Sequence, residues 1–145
     1  SSAKAMYLTE QHVALNFGTD CPRHHSVTED AFDYLERMSE GEYDLIILDP
    51  PAFAKHRKVL RNALMGYRKI NGIAIKKAAP GSIIFTFSCS QAVSKEEFRL
   101  AVFTAAASSG RRVRILHQLT QPVDHPINIY HPEGEYLKGL VLYVE

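Results

Sequence analysis

The stretch Tyr43-Asp44-Leu45-Ile46-Ile47-Leu48-Asp49-Pro50-Pro51 decides how the rest of this chain is interpreted. Its apolar run is continuous and rich in β-branched side chains, which is typical of a strand covered on both faces in a parallel sheet. The run ends abruptly in two prolines, which have no backbone N–H for a sheet ladder. Open α/β sheets bind ligands outside the carboxyl ends of their strands. The stretch therefore predicts a buried strand that delivers Asp49 to a ligand-binding edge.

A long helix and a second apolar strand follow. The helical pattern runs from about His56 to Ala78 and stops at Pro80-Gly81, a pair that cannot continue a helix. The segment Ser82–Ser88 contains Ile-Ile-Phe-Thr-Phe and predicts a strand. Ser94 and Glu97 have the spacing of a capping box, which predicts a helix that ends near Ser109.

The outer segments complete an alternation of helices and strands. They are predicted to be helices at Ser2–Asn16 and Ala31–Met38, a short strand at His24–Glu29, a strand at Arg111–Leu119, a loop at Gln121–Glu135 and a last strand at Tyr136–Val144. This order predicts an α/β fold with a doubly wound sheet. Such a sheet normally starts on a strand, so we expect a part of it to be missing at the front of this sequence.

Composition describes one ordinary globular core. The 145 residues are 46% hydrophobic and 23% charged, which excludes a disordered or fibrous chain. No apolar run approaches the roughly 20 residues of a membrane helix, and the first residues lack the pattern of a signal peptide. We therefore expect a soluble, cytoplasmic protein with no membrane partner. Cys21 and Cys89 are expected to be free thiols, because two cysteines are too few for a disulfide scaffold.

Charge is segregated along the chain although the net charge is only +1. The segment from Pro50 to Ser94 carries eight basic residues and no acidic one, which leaves nine basic and sixteen acidic residues elsewhere. Such a segment can bind phosphates, or it can be a helix whose basic side chains simply face water. Its basic residues are Lys55, Arg57, Lys58, Arg61, Arg68, Lys69, Lys76 and Lys77.

The residues after the first strand suit a flat nitrogenous substrate. Asp49 can accept hydrogen bonds from an amino group or a ring N–H, and Phe53 offers a stacking face. Pro50 and Pro51 leave backbone carbonyls free to face a ligand. The alternative is a structural one, in which prolines end the strand and Asp49 caps the next turn.

Cys89 also follows a strand, just before the helix that Ser94 opens. A helix N-terminus and nearby cations favour the thiolate form of a cysteine, which is the nucleophilic form. The alternative is a thiol packed in the core. A metal site at Cys21, His24 and His25 is not predicted, because adjacent histidines on a strand point to opposite faces and no second ligand pair follows.

In its motifs the chain resembles the class I S-adenosylmethionine-dependent RNA methyltransferases, specifically the large-subunit ribosomal RNA cytosine-5 methyltransferases that carry an N-terminal PUA domain. The resemblance covers essentially the whole chain. Its motifs are Asp49-Pro50-Pro51-Ala52-Phe53-Ala54-Lys55, Gly66-Tyr67 with Asn71, Phe87-Ser88-Cys89-Ser90, Asp124-His125-Pro126 and Pro132-Glu133-Gly134-Glu135-Tyr136-Leu137-Lys138.

The resemblance implies a Rossmann-like sheet of seven strands, of which this chain would be the C-terminal part of the catalytic domain. The first two strands of the sheet, the glycine-rich cofactor loop and the PUA domain would lie upstream of residues 1–145. Asp30 matches the acidic residue that contacts adenine in the S-adenosyl-L-methionine cofactor, and Ala31, Phe32 and Asp49 would border the same site. From its residues alone, Asp30 is a helix N-cap.

The resemblance also implies a covalent mechanism. Cys89 would add to C6 of a cytosine, and Asp49 would hold the base. The partner would be RNA, contacted by Pro50, Pro51, Phe53, Lys55, Arg57, Lys58, Arg61 and Tyr67.

One alternative is a methyltransferase that acts on an exocyclic base amine through the same Asp-Pro-Pro motif and needs no cysteine. Another is a non-catalytic fragment that binds RNA or protein. A homodimer that covers the open sheet edge is a further hypothesis, which a molar mass from light scattering tests.

Overall fold

The computed structural model describes residues 2–19, 21–54 and 56–145. The chain divides into two compact units, one up to Arg37 and one from Met38 to Glu145, and each is described by itself. Among the described residues, no helix is both long enough and apolar enough to span a bilayer.

The first unit consists of two helices. Helix α1 spans Ala3–Phe17, as the spacing predicts, and the Ser2 hydroxyl accepts a hydrogen bond from the Ala5 N–H. Helix α2 spans Ala31–Arg37. The predicted strand at His24–Glu29 is wrong, since these residues form no strand. A strand needs a neighbour for its backbone groups, and no strand of the described sheet pairs with this segment.

The second unit is a four-stranded mixed sheet with two long helices. Its elements are β1 (Leu45–Leu48), α3 (Leu60–Lys77), β2 (Ser82–Ser88), α4 (Lys95–Ser109), β3 (Val113–Leu119) and β4 (Lys138–Val144). Short 3₁₀ turns occupy Arg57–Val59 and Pro132–Gly134. These bounds confirm the predicted helices and strands of this unit within a few residues. The Ser94–Glu97 capping box is present, and Gly110 ends α4 in the left-handed conformation that glycine adopts without strain.

The strand order is β1-β2-β4-β3. Strands β1 and β2 are parallel, whereas β4 lies between β2 and β3 and is antiparallel to both. The last strand therefore enters the middle of the sheet, where its backbone groups pair on both sides.

The core lies on one face of this sheet. Helices α3 and α4 pack side by side there, and the rings of Tyr67 and Phe98 meet edge to face with centroids 5.2 Å apart. On β1, Ile46 and Leu48 are buried, but Leu45 and Ile47 are 53% and 63% exposed. The expectation that β1 is covered on both faces is therefore wrong for these residues. Helices α3 and α4 pack against each other on the same face of the sheet, so neither of them covers the opposite face.

Candidate functional site

Asp49 and Cys89 lie at the carboxyl ends of two neighbouring parallel strands. Asp49 follows Leu48, the last residue of β1, and Leu48 pairs in register with Thr86 of β2. Cys89 follows Ser88, the last residue of β2. Because the two strands are adjacent and parallel, the carboxylate and the thiol are delivered to the same edge. Asp49 is exposed and Cys89 is half-buried.

The loops behind these two residues are tied together by buried hydrogen bonds. The Ser90 hydroxyl donates to the Ala54 carbonyl at 2.5 Å, and both residues are buried. The ring of Phe53 packs on the ring of Tyr67 with centroids 4.7 Å apart. The segment that follows Asp49 is therefore held against the segment that contains Cys89.

Tyr67 of α3 is the centre of this attachment. It is fully buried, and its hydroxyl oxygen accepts a hydrogen bond from the Ser88 hydroxyl at 2.8 Å and another from the Phe53 N–H. Burial raises the pKa of Tyr67 above its ordinary value, the two hydrogen bonds oppose this, and the nearby Cys89 and Asp49 raise it further. The substrate contact predicted for Tyr67 is therefore wrong, because its side chain has no exposed surface. Tyr67 instead packs against Phe53 and binds the hydroxyl of Ser88.

Gly66 makes room for Phe53. A Cβ at Gly66 would lie 3.0 Å from Cδ2 of the Phe53 ring, which is closer than ordinary van der Waals contact. The neighbouring glycine of the same helix, Gly72, is different, since a Cβ there would meet only the Cβ of Ala105 at 3.9 Å. The absence of a Cβ at Gly66 thus allows the aromatic ring of Phe53 to pack closely against α3.

We expect alanine substitutions at these two glycines to have opposite effects on stability. Gly72→Ala should raise the free energy of unfolding by about 0.5–1 kcal/mol, because alanine is the better helix former. Gly66→Ala should lower it by about 1 kcal/mol, because the clash with Phe53 outweighs the same helical gain. Urea unfolding followed by circular dichroism measures both values. Equal stabilisation by the two variants would contradict the packing described for Phe53.

Lys138 is a site residue that the sequence did not single out for a role. It is 6% exposed, and its Nζ donates to the carbonyls of Ser90 at 2.6 Å and Tyr136 at 2.7 Å. Burial lowers the pKa of Lys138, and the neighbouring Cys89 opposes that change. In the sequence, Lys138 stood at the end of one motif and at the start of a strand, and a lysine there ordinarily indicates an exposed residue.

The predicted phosphate contacts lie before α3 and in its first turn. Arg57 forms an exposed ion pair with Glu97, with 3.4 Å between Nη2 and Oε1, and Lys58 and Arg61 are exposed. Lys55 lies outside the described residues. The first turn of α3 has no acidic residue, so Lys58 and Arg61 add their charge to the positive end of the helix dipole, whereas Arg57 is paired with Glu97. That arrangement favours an anion at this place.

A concave surface of about 380 Å³ lies elsewhere, between α3 and α4. Arg68, Lys69 and Lys76 contribute to its lining, together with the apolar side chains of Met65 and Ile73. Its lining includes neither Asp49 nor Cys89. We regard the strand-end cluster of Asp49, Cys89 and Lys138 as the candidate site. It combines a carboxylate, a thiol and a buried ammonium, whereas the lining of the groove contains no carboxylate and no thiol.

The predicted cofactor residues of the first unit begin a helix. The Asp30 side chain is exposed, and its Oδ1 accepts the Phe32 N–H at 2.8 Å at the start of α2. Ala31 is exposed and Phe32 is half-buried. The N-cap interpretation of Asp30 is therefore confirmed. An exposed carboxylate beside an aromatic ring also has the right chemistry for the amino group and face of an adenine.

Comparison with curated proteins finds close relatives in bacteria. The chain is 40% identical over 143 residues to the ribosomal RNA large subunit methyltransferase I of Aeromonas hydrophila and 41% identical over 143 residues to that of Aeromonas salmonicida. It is 38% identical over 146 residues to that of Cronobacter sakazakii. These alignments cover 97–99% of the chain but only 36–37% of each relative, so the chain spans just over a third of their length. No model of a known protein family matches the chain.

Solved structures agree on the fold. A provisionally named methyltransferase complexed with SAH superimposes with a TM-score of 0.79, and an S-adenosylmethionine-dependent methyltransferase from Streptococcus mutans superimposes with 0.76. The identities are 21% and 20%, and each match covers 99% of this chain and 37% or 36% of the other. The α/β arrangement is thus a Rossmann-like methyltransferase fold, as predicted.

Proposed function

We propose that this chain belongs to an enzyme that methylates C5 of a cytosine in large-subunit ribosomal RNA through a covalent adduct with Cys89. The observation that carries the proposal is the delivery of Asp49 and Cys89 to one edge by adjacent parallel strands. The relatives from Aeromonas support the substrate class, since they are named for methylation of large-subunit ribosomal RNA. They are longer than this chain, so activity is proposed for the complete protein that contains it.

Cys89 is proposed to act as the nucleophile. Its thiolate forms a bond to C6 of the cytosine, and the electron pair of the C5–C6 double bond moves to C5. C5 then accepts the methyl group. Loss of the C5 proton and cleavage of the bond between sulfur and C6 restore the aromatic base and the thiolate. Half-burial suits this role, because the sulfur is reachable while its backbone is anchored through Ser88 and Ser90.

Asp49 is proposed to hold the base. An exposed carboxylate at the strand end can accept a hydrogen bond from N4 of cytosine and, once N3 is protonated, another from N3. Phe53 would limit movement of the base, and the contact of its ring with buried Tyr67 keeps it rigid. Pro50 and Pro51 would border the base, as the resemblance implies. A target within a duplex would have to be extruded to reach these groups.

S-adenosylmethionine, when bound, supplies the methyl group from its sulfonium. In this chain, Asp30 and Phe32 fit the adenine end by their chemistry, with one carboxylate oxygen used by the helix cap and the side chain exposed. Ala31 completes the set that we propose for the cofactor within the first unit. Residues beyond this chain are expected to supply the rest of the cofactor site.

RNA is the proposed macromolecular partner. Arg57, Lys58 and Arg61 lie in a segment without acidic residues and surround the N-terminus of α3, where phosphates are favoured. Lys55 belongs to the same proposal. A cytoplasmic location is part of the proposal, because the relatives are bacterial and are named for ribosomal RNA methylation.

The proposal is tested by identifying the product. The complete protein is incubated with large-subunit ribosomal RNA and S-adenosylmethionine labelled in its methyl group, and the nucleosides are separated by mass spectrometry. We expect the label in 5-methylcytidine. Label in N4-methylcytidine or N6-methyladenosine would replace the proposal with methylation of an exocyclic amine, and no label in any nucleoside would favour a non-catalytic RNA- or protein-binding role.

A further inference from the structure

We propose that Lys138 is a positioning residue for Cys89: its buried ammonium fixes the backbone beside the nucleophile and provides positive charge next to the thiolate. The inference rests on the proposed function, in which Cys89 is the nucleophile. It concerns a side chain to which neither the sequence motifs nor the names of the relatives assign a role.

The position of Lys138 is determined by the sheet. Lys138 is the first residue of β4 and pairs in register with Ser88, the residue before Cys89. Its side chain lies on the buried face, where its Nζ reaches the carbonyl of Ser90, the residue after Cys89. Lys138 therefore contacts the backbone on both sides of Cys89. Its main chain pairs with Ser88, and its side chain binds the carbonyl of Ser90.

The second hydrogen bond connects this clamp to the C-terminal loop. Nζ also donates to the carbonyl of Tyr136, just before β4. The Gln91 side chain donates to the Glu133 carbonyl at 3.3 Å, and Lys95 forms an ion pair with Glu135. The loop of residues 132–137 is thus attached to the segment after Cys89 at three places, and Lys138 is the buried one.

Among the described residues around Asp49 and Cys89, the Lys138 ammonium is the one buried cation. Cys89, Lys95 and Glu97 act electrostatically on Lys138, and Asp49 and Cys89 act on Tyr67. Lys95 and Glu97 belong to α4, and their other charged partners are Glu135 and Arg57. Carbonyl oxygens bind an ammonium more strongly than a neutral amine, so the two acceptors favour the charged form of Lys138 and oppose the effect of its burial. A buried charge beside sulfur favours the thiolate over the thiol.

A purely structural lysine and a lysine that also stabilises the thiolate can be distinguished by charge. Lys138→Arg keeps the charge and the hydrogen-bond donors, Lys138→Gln keeps a donor without charge, and Lys138→Met removes both. The experiment measures the rate at which iodoacetamide alkylates Cys89 from pH 6 to pH 10, with mass spectrometry as the readout. Cys21→Ser is the common background, and mass spectrometry follows the peptide that contains Cys89. Circular dichroism reports which variants are folded.

We expect the Gln and Met variants to react about tenfold more slowly than the Lys138 protein at pH 7, because they lack the positive charge beside the nucleophile. The Arg variant should stay within about threefold. A folded Gln or Met variant with an unchanged profile would overturn the proposal, as would an Arg variant as slow as the Met variant. The readout needs no cofactor or RNA, so failure of methylation and failure of this inference are distinguishable.

Discussion

Replacing Cys89 with alanine is expected to abolish formation of 5-methylcytidine by the complete protein, with a loss of about a thousandfold or more. Losses of this size follow removal of a covalent nucleophile, because the remaining groups cannot provide the same reaction path. Asp49 and Phe53 do not replace it, since neither can add to C6 and leave again at neutral pH as readily as a thiolate. Methyl transfer from labelled S-adenosylmethionine to ribosomal RNA measures the loss.

RNA that contains 5-fluorocytosine gives the matching positive result. After addition of Cys89 and methylation, the fluorine on C5 cannot leave as a proton does, so the bond between sulfur and C6 persists. We expect a protein–RNA adduct stable to denaturation in the wild type and none in Cys89→Ala. Cys21→Ala is the matched control, because it removes the other thiol of residues 1–145 and lies in the first unit. Normal methylation by Cys89→Ala, or an adduct that depends on Cys21, would refute the proposed nucleophile.

Replacing Tyr67 with alanine is expected to lower the free energy of unfolding by about 3–5 kcal/mol, the usual cost of removing a large buried aromatic side chain. The ring is fully buried and contacts the rings of both Phe53 and Phe98. Tyr67→Phe should cost about 1–3 kcal/mol, because the buried Ser88 hydroxyl and the Phe53 N–H lose their shared acceptor. Urea unfolding followed by circular dichroism measures both changes.

Tyr143→Phe is the control for the hydroxyl. Tyr143 lies on β4 and is half-buried, with no hydrogen bond from its hydroxyl among the described residues. We expect its substitution to change the free energy of unfolding by less than about 0.5 kcal/mol. If Tyr67→Phe costs no more than Tyr143→Phe, the hydroxyl of Tyr67 does not hold the Phe53 and Ser88 segments together as described.

Local sequence patterns were enough to predict most elements of this fold. Helix α4 is the clearest case, because its start is encoded by Ser94 and Glu97 and its end by Gly110. The same reasoning failed at His24–Glu29, where a short extended segment has no strand to pair with. Whether such a segment becomes a strand depends on a neighbour distant in the chain, and that information is absent from local spacing.

Candidate chemistry was predictable wherever it follows a strand directly. Asp49 and Cys89 were placed by the rule that ligands bind at strand ends, and the parallel pairing of β1 and β2 then makes them neighbours. Tyr67 was predicted to contact the substrate but is completely buried, because a helical pattern does not reveal which tyrosine is covered by its neighbours. Lys138 was not assigned a role, since its burial follows from the insertion of β4 between β2 and β3.

The sequence by itself determined the type and order of most elements, the two strand ends that carry a carboxylate and a thiol, and the basic segment that follows the first of them. These properties depend on side-chain periodicity and on turn residues, which act over a few positions. Only the tertiary structure decided which face of β1 is covered, how Tyr67 joins the two motifs, and that a lysine is buried beside Cys89. Those outcomes depend on strand order and on packing between residues tens of positions apart, which no local pattern specifies.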